Sequence, residues 1–70
     1  MKKFSIYKHE SGKFGTVTAE NLRAAKLRAQ RYAGITDKTD YAWRTADRGV
    51  HVLYVITNHR IVRGYTLRPA

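Results

Sequence analysis

The sequence lacks cysteine, so neither a disulfide nor a thiolate metal site can stabilise the fold. The longest apolar stretch, residues 50–56, is interrupted by His51 and is too short to cross a bilayer. The basic N-terminus is not followed by the apolar run of a signal peptide. With 70 residues available, we expect one small domain over residues 1–70, soluble and cytoplasmic, without membrane contact.

Acidic residues are scarce: there are 5, against 14 lysines and arginines, which gives a net charge of +9. Such an excess costs self-repulsion, which a bound polyanion would offset, and a phosphate backbone is the commonest candidate. A generically basic small protein is the alternative. No acid lies between Glu20 and Asp37 or after Asp47. These two acid-free stretches therefore carry the candidate positive surfaces.

Proline and long linkers are also missing before Pro69, and the chain alternates between short periodic segments and turn residues. The predicted elements are strands over 4–9 and 14–19, a helix over 22–33, and strands over 41–45, 50–56 and 61–67. The fold class is therefore α+β, a small antiparallel sheet in ββαβββ order with one helix packed on one face. One short helix cannot cover five strands, so we expect the other face to be open to solvent, ligand or a second subunit.

The predicted helix has a narrow core arc and a basic opposite side. Its core arc, at about 100° per residue, contains Leu22, Ala25, Ala29, Tyr32 and Ala33. Thr18 or Asn21 can cap its start and Gly34 can end it.

Opposite that arc lie Arg23, Leu27 and Arg31 at i, i+4 spacing. Like charges at this spacing destabilise a helix, so local stability does not explain the pattern, whereas contact with phosphates does. The alternative is a solvated basic face with one exposed leucine. The predicted nucleic-acid-binding residues, which include two from the last hairpin, are Arg23, Lys26, Arg28, Arg31, Arg60 and Arg63.

Aromatic residues form the second candidate group: Tyr7, Tyr41, Trp43, Tyr54 and Tyr65. On an open sheet face beside arginines, they would form a stacking platform for single-stranded nucleic acid. The alternation groups Tyr54 with Val50, Val52 and Ile56, and groups Ile61, Tyr65 and Leu67 together. Some tyrosines are therefore expected to pack in the core.

Catalytic and metal-binding patterns are missing from the sequence. The three histidines are scattered and no pair of carboxylates suggests acid–base chemistry, so we expect no enzyme, metal or cofactor. A small basic ribonuclease stays an alternative.

The favoured function is a non-enzymatic nucleic-acid-binding module for DNA or RNA. The alternative is a small protein-interaction or inhibitor module that docks on an acidic protein through Leu27 and the surrounding arginines, with Tyr65 and Trp43 as further possible interface residues. An open sheet edge could also pair with a partner strand or a second copy, so a homodimer is possible.

Overall fold

The computed structural model describes residues 1–70 apart from the side chains of residues 13 and 14. Its elements are β1 (Lys2–Lys8), β2 (Gly12–Ala19), α1 (Leu22–Tyr32), β3 (Asp40–Asp47), β4 (Val50–Thr57) and β5 (Arg60–Pro69). The predicted ββαβββ order and the α+β class are confirmed. All five strands are longer than the alternation indicated, most of all the third and the fifth.

All five strands form one antiparallel sheet in the order β2-β1-β5-β4-β3. The first and last strands of the chain therefore lie side by side near the middle, with pairs running from Phe4 opposite Pro69 to Lys8 opposite Tyr65. Each remaining pair of neighbours is joined by a hairpin turn. The two edge strands are β2 and β3.

The helix begins at a specific cap. Oδ1 of Asn21 accepts the backbone N–H of Ala24 at 2.9 Å, while Thr18 lies within β2, so Asn21 is the cap residue. At the other end Gly34 has a φ of +78°, a conformation that glycine adopts without strain.

The core arc of the helix is as narrow as the sequence indicated. Ala25, Ala29 and Ala33 are buried, because their small side chains let the helix backbone approach the sheet closely. Leu22 is half-buried. Tyr32 is 44% exposed and lies over Gly15 of β2, so it belongs to the rim of the core.

Strand register divides the paired, described sheet residues between two faces. The helix-covered face holds the core, which consists of Phe4, Ile6, Val17, Ala19, Leu53, Val55, Tyr65 and Leu67 beneath the helix alanines. The other face, which we call the open face, carries Tyr7, Arg44, Tyr54, Thr66 and Arg68. No element of the described chain covers it.

Ile61 lies on the open face, whereas Tyr65 and Leu67 lie beneath the helix, so the predicted grouping of these three residues is wrong. A register shift after Val55 pairs Ile56 with Ile61. The extra residue at this bulge reverses the direction of the side chains that precede it.

Candidate functional site

The outward side of α1 is a basic surface without an acid. Four of its residues are exposed, Arg23, Leu27, Arg28 and Arg31, and we call them the basic helix surface. Leu27 is 56% exposed among the arginines. Within α1 no carboxylate is present to neutralise them. The surface can therefore offer three guanidinium groups and one apolar contact to a partner.

Lys26 does not belong to this surface. It is half-buried on the side of the helix that faces β3, and its Nζ lies 5.1 Å from the centroid of the Trp43 ring. It also acts on His51: burial, and then the positive charge of Lys26, lower the pKa of this histidine below its ordinary value of 6.5. The structure thus places Lys26 in an internal contact, apart from the three exposed arginines.

Arg28 and Arg31 border a groove on the β2 side of the helix. Together with Tyr32 they face the β2 residues Thr16 and Thr18 across it. The groove is lined by the edge of β2, including Val17, and by two guanidinium groups, which suit a phosphate or another anion. It extends the basic helix surface toward the edge of the sheet.

The two hairpin arginines extend this basic side beyond the helix. Arg63 pairs with Val55, whose side chain is in the core, so Arg63 lies on the helix-covered side of the sheet. Its Nη1 donates to the hydroxyl of Tyr65 at 3.3 Å. Arg60 is exposed where β5 begins, after Asn58 and His59, both of which have positive φ. Left-handed residues at both central positions are typical of a tight two-residue hairpin.

The helix begins near the β3–β4 turn and runs along the sheet in the direction of the β4–β5 turn. Leu22, at its start, borders a cavity with Gly49 and Pro69, whereas Gln30, in its last turns, bonds to Trp43. Trp43 pairs with Leu53, which in turn pairs with Tyr65 of β5. Arg63 lies two positions from Tyr65 on the same face of β5. The structure therefore brings Arg28, Arg31 and Arg63 to one side of the molecule, with Arg60 at its tip.

Two of the three possible interface residues are not free surface. Tyr65 is only 2% exposed and packs in the core, so its assignment to an interface is wrong; its register places it beneath the helix. Trp43 is half-buried, and its Nε1 donates to Oε1 of Gln30 at 2.9 Å. Leu27 alone of the three is well exposed.

The aromatic group is divided between the two faces. Register places only Tyr7 and Tyr54 on the open face, where both are half-buried, while Tyr41 lies on the helix-covered side of β3 with 44% of its surface exposed. The guanidinium of Arg68 lies 5.5 Å from the Tyr7 ring centroid. This Tyr7–Arg68 pair has no local signature in the sequence, because it arises from the pairing of the first and last strands.

His9 occupies a fixed place near Tyr54. The two rings meet edge to face with centroids 6.5 Å apart, and Nε2 of His9 is hydrogen-bonded to the hydroxyl of Thr66 at 2.9 Å. The open face therefore carries polar, aromatic and apolar side chains, the last including the exposed Ile61, with positive charge from Arg44 and Arg68.

Outside the side chains of residues 13 and 14, no group of three or more histidines and carboxylates is arranged to hold a metal ion. The single described helix is too short and too polar to cross a membrane. No family model, curated protein or solved structure matches the chain.

Proposed function

We propose that the protein is a non-enzymatic, cytoplasmic nucleic-acid-binding module that contacts phosphates through the basic helix surface, assisted by Arg60 and Arg63. The observation that carries the proposal is the helix itself: three exposed arginines surround its outward side, and no acid lies within it. Guanidinium groups form bidentate contacts with phosphate oxygens, and releasing counterions from a nucleic acid favours such binding.

The shape of the surface supports a duplex as the preferred ligand. A helix that projects from a sheet is convex and rod-like, and the major groove of DNA is wide enough to admit one. Arg23 and Arg31 are eight positions apart, which corresponds to about 12 Å along the axis. Side chains at both ends could then reach phosphates while Leu27 contacts the groove.

Fluorescence anisotropy with labelled duplex DNA, single-stranded DNA and duplex RNA tests the proposal over a salt series. If four or five arginines each neutralise one phosphate, the logarithm of affinity should fall with the logarithm of salt at a slope of about −4 for duplex DNA. Undetectable binding to all three probes at the lowest salt would refute nucleic-acid binding. A preference for single-stranded DNA would instead place the contact on the open face, with Tyr7 and Tyr54.

Matched double variants separate local contact from total charge. Arg28→Ala with Arg31→Ala removes two charges from the helix side, and Arg44→Ala with Arg68→Ala removes two from the open face. We expect the first pair to reduce the salt slope by about 2 and the second to change it much less. Equal losses in both would contradict a contact at the helix.

A second candidate function is supported by Leu27. Arginines and apolar centres are favoured at protein interfaces, and Leu27 is 56% exposed among three arginines that would attract an acidic partner. Leu27→Asp should abolish docking on such a partner but weaken nucleic-acid binding only in part.

RNA that stays intact on incubation with the protein would agree with the non-enzymatic part of the proposal, and its cleavage would support the ribonuclease alternative.

A further inference from the structure

We propose that two copies of the protein pair through β3, antiparallel and related by a twofold axis at Ala42, so that Asp40 of each copy lies opposite Arg44 of the other. The β3 edge is a different surface from the basic helix surface, so its pairing is independent of the proposed function.

The β3 strand is a long, accessible edge. It has eight residues, and all of them except Trp43 are exposed. It contains neither proline nor glycine, and its residues include tyrosine, tryptophan and threonine, which favour strands. Its one irregularity, between Thr45 and Asp47, lies at its end. Such an edge presents unpaired N–H and C=O groups that another strand can satisfy.

The opposite edge, β2, is less suited to pairing. It contains Gly12 and Gly15, and glycine within a strand weakens it. Tyr32 lies over Gly15, and Arg28 and Arg31 border the neighbouring groove. A partner strand would therefore meet exposed helix side chains beside β2. Beside β3 the helix contributes Lys26 and Gln30, which are half-buried against Trp43.

Twofold symmetry restricts the possible registers of β3 against itself. Directly opposite residues in an antiparallel pair point to the same face, whereas consecutive residues point to opposite faces. The axis must therefore pass midway between one residue and the same residue of the other copy. A register centred between two consecutive residues is not possible. The four centres within the regular part of the strand, residues 40–45, are residues 41 to 44.

Only the register centred on Ala42 is complementary in charge. It places Asp40 opposite Arg44 twice, and it places Tyr41 opposite Trp43 twice. A centre at Arg44 would set two arginines against each other, which is unfavourable.

The remaining two centres leave the charges without partners. A centre at Tyr41 places Asp40 opposite Ala42, and a centre at Trp43 places Arg44 opposite Ala42. Opposite charges and aromatic pairs directly across strands are stabilising, so the Ala42 register is preferred.

The faces of the sheet agree with this arrangement. Asp40 and Arg44 pair with Ile56 and Val52 and therefore share the open face, whereas Tyr41 lies on the helix-covered side with Trp43. Because the twofold axis is perpendicular to the sheet, the open faces of the two copies lie on one side of the joined sheet and the helix-covered faces on the other. The dimer would be a ten-stranded sheet with both basic helix surfaces on one side, and it would cover Tyr41, which is 44% exposed in the single chain.

A charge-swap series tests the pairing by analytical ultracentrifugation over a range of protein concentrations. Asp40→Arg sets arginine against arginine, and Arg44→Asp sets aspartate against aspartate, so each should raise the dimer dissociation constant by about tenfold or more. The double variant restores opposite pairs and should dimerise like the unaltered protein. Arg48→Asp, in the exposed β3–β4 turn, is the matched control and should have little effect. A monomeric unaltered protein, or a double variant as weak as the single ones, would overturn the proposal.

Cross-linking gives a second readout of the register. Opposed Cα atoms in an antiparallel pair are about 4.5–5.5 Å apart, a separation that a disulfide accommodates. Since the chain has no cysteine, Ala42→Cys should form one intermolecular disulfide under mild oxidation. The control is Thr18→Cys, an exposed position on β2. Equal cross-linking rates for the two variants would contradict pairing through β3.

Discussion

The indole Nε1 of Trp43 donates a hydrogen bond to Oε1 of Gln30 at 2.9 Å, and this contact joins the helix to the edge strand β3. Lys26 lies over the same ring. One aromatic side chain at the sheet edge thus holds two positions of the helix, one turn apart. Because Trp43 is the only tryptophan, its fluorescence reports on this contact directly.

Gln30→Ala should lower the free energy of unfolding by about 1 kcal/mol, since it removes the acceptor of the indole N–H. It should also shift the emission of Trp43, measured in the same urea titration that gives the stability. Gln30→Glu is the control, because it keeps an acceptor oxygen and adds attraction to Lys26. An alanine variant with unchanged stability and emission would show that the bond contributes nothing.

Asn21→Ala should destabilise the protein by about 1 kcal/mol, because the N–H of Ala24 loses its capping partner. Asn21→Asp should retain most of the stability, since a carboxylate accepts the same bond and favours the positive end of the helix. Thermal unfolding followed by circular dichroism measures both variants. If Asn21→Asp lost as much stability as Asn21→Ala, the capping bond would not be the cause.

Gly64→Ala should destabilise the protein by about 1–3 kcal/mol through crowding. An added Cβ would lie 2.5 Å from Nδ1 of His9, and the backbone N–H of His9 also donates to the carbonyl of Gly64 at 2.9 Å. In a His9→Ala background the same substitution should cost much less, because the ring is gone. A urea-based double-mutant cycle measures this coupling, and strictly additive losses would contradict it.

Stability should decrease as the pH falls below about 6.5 because of His51. Burial, followed by the charge of Lys26, lowers the pKa of His51 in the folded state, so the unfolded chain binds the proton more readily. The contribution of the neutral histidine is therefore complete above the unfolded pKa and is lost progressively down to the folded one. The cavity beside His51 also contains Lys2 and Lys3, and Thr45 lies 3.4 Å from Nδ1.

Thermal unfolding from about pH 5 to pH 8, with and without His51→Gln, measures this loss. The variant should show a weaker dependence on pH in this range. Lys26→Met should raise the pKa of His51 toward its ordinary value, which a titration of the ring protons by NMR would detect. Identical pH profiles for the unaltered protein and His51→Gln would contradict the assignment.

The fold follows from local patterns that the sequence displays, such as the alternation in β1, the alanine arc of α1 and the turn residues between strands. Sheet order does not, because the pairing of β1 with β5 joins the two ends of the chain and leaves no local pattern. In β4, apolar residues occur on both faces, so alternation cannot tell whether Leu53 or Val52 faces the helix. The bulge in β5 then places Ile61 on the opposite face from Tyr65 and Leu67, although alternation groups the three together.

The candidate site is predictable only in part for the same reason. Helical spacing places Arg23, Leu27 and Arg31 together on one exposed side, a geometry that depends on the helix alone. The position of Lys26 depends on Trp43, which reaches the helix from a strand at the far edge of the sheet. The Tyr7–Arg68 contact likewise depends on strand order, which no spacing along the chain reveals.

The pairing of β1 with β5 determines when the core can be completed during folding. Residues 2–32 can form a hairpin with its helix, and residues 40–69 can form a three-stranded meander, from contacts between near neighbours. The two halves become one sheet only when Phe4 meets Pro69 and Lys8 meets Tyr65. Since this step closes the longest loop and unites the core, we expect it to limit the folding rate. During synthesis, the core must therefore stay incomplete until the last strand has left the ribosome.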